Sequence, residues 1–334
     1  MAGDGGMTDL GTDRTADHEL AAELATEAGR LLLGVRDELG FDDARTLKDT
    51  GDLRAHEYLM AALAERRPGD AVLSEEGRAS VAGKRSAGSS AAPTANTAAG
   101  DRLAAPRVWI IDPLDGTREF SEEGRLDWAV HVALWTGDRL AAGAVALPAR
   151  GITLTTTTPH PPNAPAHTGE GGRTGGVAAA VVPTGLAASG WTAETVGTAC
   201  AEARELAVPE PAEPGRLRIA VSRTRPPAFL EDLAKRVPVE LDLVPIGSAG
   251  AKISAVLLGE VDGYVHAGGQ YEWDSAAPAA VALAAGATAS RLDGSPLVYN
   301  RADPWLPDIL VCHPGSTSTL LTGIRDLSDI VPNS

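Results

Sequence analysis

The stretch Trp-Ile-Ile-Asp-Pro-Leu-Asp-Gly-Thr-Arg-Glu-Phe, residues 109–120, sets two carboxylates three residues apart where a run of β-formers stops. Asp112 ends the strand, Pro113 fixes a turn, and Asp115 returns toward the same point. The Leu114 carbonyl between them can face the same ion, and Gly116 lets backbone approach a ligand closely. The Thr117 hydroxyl is set to polarise a water. A helix opening here would turn free N–H groups toward an anion. Carboxylates for metals, beside amides and a hydroxyl for an anion, are the parts of metal-assisted phosphate hydrolysis.

Further acids stand at expected strand ends or helix starts: Asp52 in "KDTGDLRAHEYL", Glu75 with Glu76 in "LSEEG", and Asp274 in "YEWDSAAPAAVALAAGA". Carboxylates brought together repel, and some are driven to the protonated form unless compensated. Divalent cations remove that repulsion, and hard oxygen ligands suit Mg²⁺. Each segment alone is equally open to a local role. "DxxDG" can be a turn in which Asp accepts local backbone bonds and Gly supplies positive φ. Asp274 and Asp52 can be helix N-caps, and Glu75 and Glu76 can be solvated turn acids.

The elements that must position these acids alternate along the chain. Leu20, Leu24, Ala28, Leu31, Leu32, Val35 and Leu39 recur at helical spacing from Asp17 onward, with Thr15 or Asp17 as cap, after a disordered acidic leader over 1–13. A second helix is expected after Asp52, then a short buried strand at "DAVLS". "RVWII", "DWAVHVALW" and the two halves of "RLAAGAVALPARGITLTTTT" read as strands. Residues 78–105 and 156–176 are small, polar and Gly/Pro-rich, and read as flexible insertions. Strand signals return at "GVAAAVV" and "RLRIAVS". Helices and strands then interleave to the end, which predicts a layered α/β architecture.

Composition narrows the partners. The 334 residues carry 45 Asp and Glu against 29 Lys and Arg, a formal charge of −16. Such a chain repels nucleic-acid polymers and anionic membranes, and no Lys/Arg cluster with interleaved aromatics offsets that. No signal peptide or apolar run of about 20 residues is visible, so a cytoplasmic protein is expected. Cys200 and Cys312 sit outside any CxxC pattern and read as reduced core thiols. The lysines are Lys48, Lys84, Lys235 and Lys252 alone, so Lys252 within "GSAGAK" stands out.

"LSEE", "WIIDPLDGTREF" and "YEWDSAAPAAVALAAGA", in that order, resemble the signature segments of the inositol monophosphatase superfamily, over about residues 17–330. Within it, "DPLDGTREF", "AVSRTRPP", "GSAGAK" and "HAGGQYEWDSAAP" are similar to the CysQ-type 3′(2′),5′-bisphosphate nucleotidases. The resemblance implies an alternating α-β-α-β-α sandwich, with an α+β part over 14–185 carrying most of the acids, an α/β part over 215–330, a division near 183–215, and the site between the two parts. It implies a lithium-sensitive phosphatase that uses two or three Mg²⁺ ions to remove the 3′-phosphate of adenosine 3′,5′-bisphosphate, in sulfur assimilation or nucleotide recycling. Glu75, Asp112, the Leu114 carbonyl, Asp115 and Asp274 match the metal ligands, with Glu76 outside them. Asp52 and Thr117 match the pair that orients the attacking water. The Gly116 and Thr117 amides match the phosphate cradle, and Ser248 and Lys252 the nucleotide contacts.

Ser222 and Arg223 are candidates for the base or the 5′-phosphate. Lys252 is equally open to being an exposed first-turn lysine, and His266 to being a satisfied half-buried histidine. The partner implied is a small phosphate ester, and the assembly a monomer or homodimer. Two departures stand out: the gap between Glu75 and Asp112 is lengthened by residues 78–105, and the loop after Ile152 is long. Rival readings keep the chemistry but change the substrate, to inositol monophosphate or fructose 1,6-bisphosphate. A haloacid-dehalogenase mechanism needs Asp-x-Asp-x-Thr, one residue shorter than the spacing here. A non-catalytic metal- or nucleotide-binding regulator would share the scaffold, against which every ligand position holds a competent acid.

Overall fold

The computed structural model describes residues 10–76, 99–157, 178–183 and 204–325. Helix α1 (Leu10–Leu39) and helix α2 (Ala44–Arg66) precede strand β1 (Ala71–Ser74). Helix α3 (Ala99–Ala104), β2 (Arg107–Asp115), helix α4 (Thr117–Phe120), β3 (Ala129–Thr136), β4 (Arg139–Leu147), β5 (Ile152–Thr157), β6 (Ala178–Pro183) and β7 (Arg204–Leu206) follow. Then come β8 (Arg216–Ser222), α5 (Leu230–Arg236), β9 (Glu240–Ile246), α6 (Ala249–Leu257), β10 (Gly263–Tyr271) and α7 (Glu272–Ala284). The described chain closes with β11 (Thr288–Ser290), β12 (Trp305–Cys312) and α8 (Pro314–Arg325).

Strands β1 to β7 form one sheet in sequence order, and the second sheet runs β11-β12-β10-β8-β9. Only the β1–β2 pair of the first sheet is parallel; in the second, β8 runs parallel to both β10 and β9. Side-chain alternation assigns the layers. Along β2, Trp109 and Ile111 pack with the Leu and Ala stripe of α1 and α2. Val108 and Ile110 face the other way, into a core shared with α6, α7 and the inner face of the second sheet. On that sheet Tyr264, Ile309 and Val311 point inward, while Val265, Leu310 and Cys312 pack against α5 and α8. The result is the α-β-α-β-α sandwich. Alanines let α7 lie close to the first sheet: a Cβ on Gly143 would fall 2.7 Å from the Ala280 Cβ.

Several boundaries differ from the sequence expectation. α2 begins at Ala44, capped by Asp43, whose carboxylate accepts from the Arg45 and Thr46 amides. Asp52 therefore lies inside the helix rather than before it. α1 begins at Leu10, so neither Thr15 nor Asp17 caps it, and residues 10–13 of the expected leader are helical. The Asp17 carboxylate instead accepts from Arg67 and Arg107, and Arg107 also pairs with Asp70. That network ties α1 to the edge of β2, a role in register more than in net stability. The end of the expected 78–105 insertion is helix α3, held by the buried Arg102 guanidinium on the Asn300 side chain and the Arg301 carbonyl. Residues 77–98 and 158–177, which hold most of both insertions, lie outside the described residues, as do residues 1–9 and Cys200. Strands β7 and β11 were not anticipated. We propose that the division between the two parts falls between β7 and β8.

Candidate active site

In a regular strand, residues three apart point to opposite faces. β2 avoids this by slipping register against β3: Asp112 pairs with His131, but Asp115 pairs with Ala129. The extra residue is a bulge, and it returns Asp115 to the side of Asp112. One carboxylate oxygen from each of Asp112, Asp115 and Asp274 then falls within 4.8 Å of the others. Asp112 Oδ1 accepts from the Leu114 amide at 3.0 Å, and Thr117 Oγ1 donates to the Leu114 carbonyl at 3.3 Å. Asp115 Oδ2 accepts from the Gly250 amide at 2.7 Å. Asp274 is the third residue of α7, not its N-cap, and its Oδ2 accepts from the Tyr271 amide at 2.6 Å.

Glu75 follows the last paired residue of β1, Ser74, which sits opposite Ile111. The next step along both strands therefore puts Glu75 beside Asp112, close enough for the two carboxyls to hydrogen-bond. Asp52 faces this group from α2, which packs on β2. Burial pushes Asp112 well above the usual carboxylate range, and the charges of Glu75, Asp115 and Asp274 add to it. Burial, then Asp115, carries Asp274 up to about 8. Burial also takes Glu75 to about 7, with Asp52 and Glu76 contributing. Asp52 reaches about 7 through burial, then Glu76 and Asp49. Acids whose proton affinity is raised by their own crowding form an oxygen-rich set that a divalent cation would relieve.

His131, wholly buried, backs Asp115. Its Nδ1 lies 3.0 Å from the Trp273 carbonyl, which can only accept, so Nδ1 carries the hydrogen. Its Nε2 lies 3.2 Å from Asp115 Oδ2, and burial lowers the ring's pKa. A neutral ring of that tautomer turns the Nε2 lone pair toward the carboxylate, and Nε2 makes no hydrogen bond among the described residues. Gly250 leaves the space: a Cβ there would fall 2.1 Å from His131 Nε2.

The opposite wall comes from the ends of β8 and β9 and from β10. Ser248 caps α6, its Oγ accepting from the Ala251 amide at 2.9 Å. Lys252 is buried; its Nζ donates to the Gly247 carbonyl and, at 2.9 Å, to the Ser248 carbonyl, and stands 5.4 Å from the Tyr264 ring centroid. The exposed-lysine alternative is therefore excluded, and burial lowers the Lys252 pKa. Arg223 is held by two carboxylates, Glu119 at 2.7 Å and Glu122 at 2.9 Å, which fasten β8 to α4. Ser222 Oγ accepts from the Arg225 amide. His266 Nε2 donates to the Gly269 carbonyl at 3.0 Å, and burial lowers its pKa, so the ring is neutral and satisfied.

A cavity of about 840 Å³ lies between these walls. Asp115, Gly116, Thr117, Ser222, Arg223, Ser248, Lys252, His266 and Asp274 line it; Asp52, Glu75, Asp112 and Leu114 do not form its lining. Its wall also carries Arg118, Arg225, Tyr264 and Trp305, which sequence reading did not single out. Arg118 lies in "DPLDGTREF" and Arg225 in "AVSRTRPP". They matter because Arg223, between them, is already committed to Glu119 and Glu122.

The floor of the cavity turns on Gly116, at φ +86°. A Cβ there would fall 2.8 Å from the Ser248 Cβ and 3.3 Å from Trp128. Gly116→Ala is expected to cost about 1–3 kcal/mol, read as a lower denaturant midpoint. An unchanged midpoint would show that the left-handed turn carries no such constraint.

The inositol monophosphatase family profile matches residues 13–324. A 3′-phosphoadenosine 5′-phosphate phosphatase of Mycobacterium leprae is 45% identical over 320 residues, covering 93% of this chain and 94% of that protein. Its Mycobacterium tuberculosis counterpart of the same name is 46% identical over 305 residues, covering 90% of each. The crystal structure of CysQ from Bacteroides thetaiotaomicron superposes with a TM-score of 0.63 at 24% identity, over 90% of this chain and 97% of that one, which speaks to the fold.

Proposed function

Since the chain belongs to the inositol monophosphatase family, we propose that it is a metal-dependent phosphatase hydrolysing the 3′-phosphate of adenosine 3′,5′-bisphosphate to give adenosine 5′-monophosphate. The observation that carries the reading is the meeting of Asp112, Asp115 and Asp274 at the foot of a cavity that holds Lys252 and three arginines on its wall. An acidic floor suits cations, and a cationic wall suits a second, unreacting phosphate. The names of the relatives support the nucleotide bisphosphate over a sugar phosphate.

Glu75, Asp112, the Leu114 carbonyl, Asp115 and Asp274 would hold Mg²⁺, two or three ions in all. When bound, these ions supply charge neutralisation at the phosphoryl oxygens and at the leaving 3′-oxygen, and acidify a water. The chain's own groups do the rest. Asp52 and Thr117 orient the attacking water, and Asp52 accepts its proton. The Gly116 and Thr117 amides hold the transferring phosphate. Lys252 and Ser248 order the turn against which the nucleotide rests. Ser222 and Arg223 shape the far wall, Arg223 by holding α4 to β8. The reading includes a cytoplasmic setting in sulfur assimilation or nucleotide recycling, inhibition by lithium, and a monomer or homodimer. No described helix is long and apolar enough to cross a membrane.

Phosphate release in Mg²⁺ from adenosine 3′,5′-bisphosphate, inositol 1-phosphate and fructose 1,6-bisphosphate tests the proposal. The bisphosphate nucleotide is expected to give the highest kcat/KM, by at least about tenfold, the scale of one good contact. A preference for either sugar phosphate would move the substrate assignment. Tight binding of Mg²⁺ and nucleotide without release would favour a regulator.

A further inference from the structure

We propose that Trp305 is the platform on which the purine of a bound nucleotide stacks, and so the residue that separates nucleoside phosphates from base-free ones. This rests on the nucleotide reading above. Trp305 opens β12 and lines the cavity that ends at Asp274. It is 40% exposed, and it is the only aromatic among the large apolar side chains left exposed in the described residues. The others, such as Leu53, Leu126 and Val298, are aliphatic and lie off the cavity wall.

The ring is seated rather than loose. β10 pairs antiparallel with β12, with Tyr271 opposite Trp305, but the register slips between Ala267 and Gln270. Gly268 and Gly269 fill the slip, both in the left-handed region at φ +98° and +88°. A Cβ on Gly269 would lie 1.6 Å from Trp305 Cζ2 and 2.0 Å from Cη2. The benzo ring thus occupies the space in which any side chain at 269 would begin. The Tyr271 ring meets the indole edge-on, with centroids 5.3 Å apart, and itself stacks on Trp273 at 4.7 Å. Trp273 precedes Asp274, so the aromatic contacts run from Trp305 on the cavity wall to the neighbour of an acid in the cluster.

Such a ring has lost its rotamer freedom before any ligand arrives, so stacking on it carries little further ordering cost. Every nucleobase offers a π face, and an indole is a good partner for one. Inositol and fructose phosphates have no such face. The two left-handed glycines have no role in the acid cluster. Gly269 is explained by the indole seated against it, and Gly268 by the left-handed backbone of the slip alone.

The test compares wild type, Trp305→Ala and Trp305→Phe by direct binding of adenosine 5′-monophosphate and of ribose 5-phosphate, and by steady-state kinetics on adenosine 3′,5′-bisphosphate. Trp305→Ala is expected to weaken nucleotide binding and raise KM about tenfold, with kcat changed by less than about twofold. Ribose 5-phosphate binding is expected to stay level, and Trp305→Phe to fall between. Saturating adenosine 5′-monophosphate is expected to quench wild-type tryptophan emission, and the Phe variant to lose that quenching. Should the Ala variant not fold, the Phe variant and the wild-type quenching still decide.

Unchanged nucleotide affinity in either variant, an equal loss for ribose 5-phosphate, or wild-type emission blind to the nucleotide would each overturn the platform. The proposed activity fails differently. A wild type that is quenched by the nucleotide yet releases no phosphate from the bisphosphate strikes the activity and leaves the platform. Full turnover with Trp305→Ala at wild-type KM does the reverse.

Discussion

Asp112→Asn is expected to reduce phosphate release by about 10³-fold or more while leaving the fold intact and the metal-free protein at least as stable as wild type. The substitution is isosteric. Its retained Oδ1 can go on accepting from the Leu114 amide, the one backbone bond Asp112 makes at 3.0 Å. The new amide nitrogen is a donor where a cation needs an acceptor, so one buried ligand is lost at the centre of the cluster. The same nitrogen can donate to Glu75, whose carboxyl already hydrogen-bonds Asp112. In the metal-free state the variant therefore removes an acid that burial and three neighbouring acids hold well above its usual range, without leaving an orphan polar atom. Loss of function with gain in stability is the mark of a site strained for its ligand. Thermal melts in chelator and in Mg²⁺ read both halves: the variant should melt no lower than wild type in chelator and lose most of the Mg²⁺-dependent rise. Normal turnover in Mg²⁺ would remove Asp112 from the cation site, and a large destabilisation in chelator would make its role structural.

What the sequence disclosed, and what it withheld, follows from the range of the interactions. The strand character of 107–111 and the Asp-Pro-Leu-Asp-Gly-Thr turn are local, and β2 with its tail appears where the β-formers place it. The layered α/β character is legible because single strands such as β2 are apolar on both faces, which only a sheet covered on both sides requires; the order of the five layers follows from the family resemblance, not from the pattern. α2 was misread at Gly51. Glycine before Asp52 looks like a break, yet a Cβ there would fall 2.7 Å from Phe120, so the residue is glycine for packing and the helix runs through it. Asp17 looked like a cap because its partners, Arg67 and Arg107, are distant in sequence. Arg223 offered a free cation to a reader of "AVSRTRPP", but Glu119 and Glu122 lie about a hundred positions upstream and claim it. His131 could have been suspected from alternation alone: Ala129 and Ala133, in phase with it, both face the inner core. Its contact with Asp115 depends on the β2 bulge, which no local pattern announces.

The largest effect on stability is expected from pH and divalent cation together. Asp52 and Glu75 have their pKa raised to about 7 and Asp274 to about 8, chiefly by burial, and Asp112 is raised well above the usual carboxylate range by burial and by Glu75, Asp115 and Asp274. In the unfolded chain all four titrate near about 4. Between pH 5 and 7 the metal-free folded state thus holds more protons than the unfolded state, and stability falls as pH rises. Each fully affected group contributes at most about 1.4 kcal/mol per pH unit, and mutual coupling makes the sum smaller than four separate terms. The slope should start near pH 5 and persist until the raised folded-state values, about 7 for Asp52 and Glu75 and about 8 for Asp274, are passed. This direction is opposite to that of a protein held by ordinary salt-bridged carboxylates. Metal binding requires the ionised forms, so Mg²⁺ should displace protons, bind more tightly as pH rises, and flatten or reverse the slope. Melting temperatures across pH 5–8 in chelator and in excess Mg²⁺ measure the slope. Titration calorimetry in buffers of different ionisation enthalpy counts the protons released. A metal-free melting temperature that is level or climbs through this window would mean the four acids are already compensated within the fold, and cation binding without proton release would mean the ion sits elsewhere.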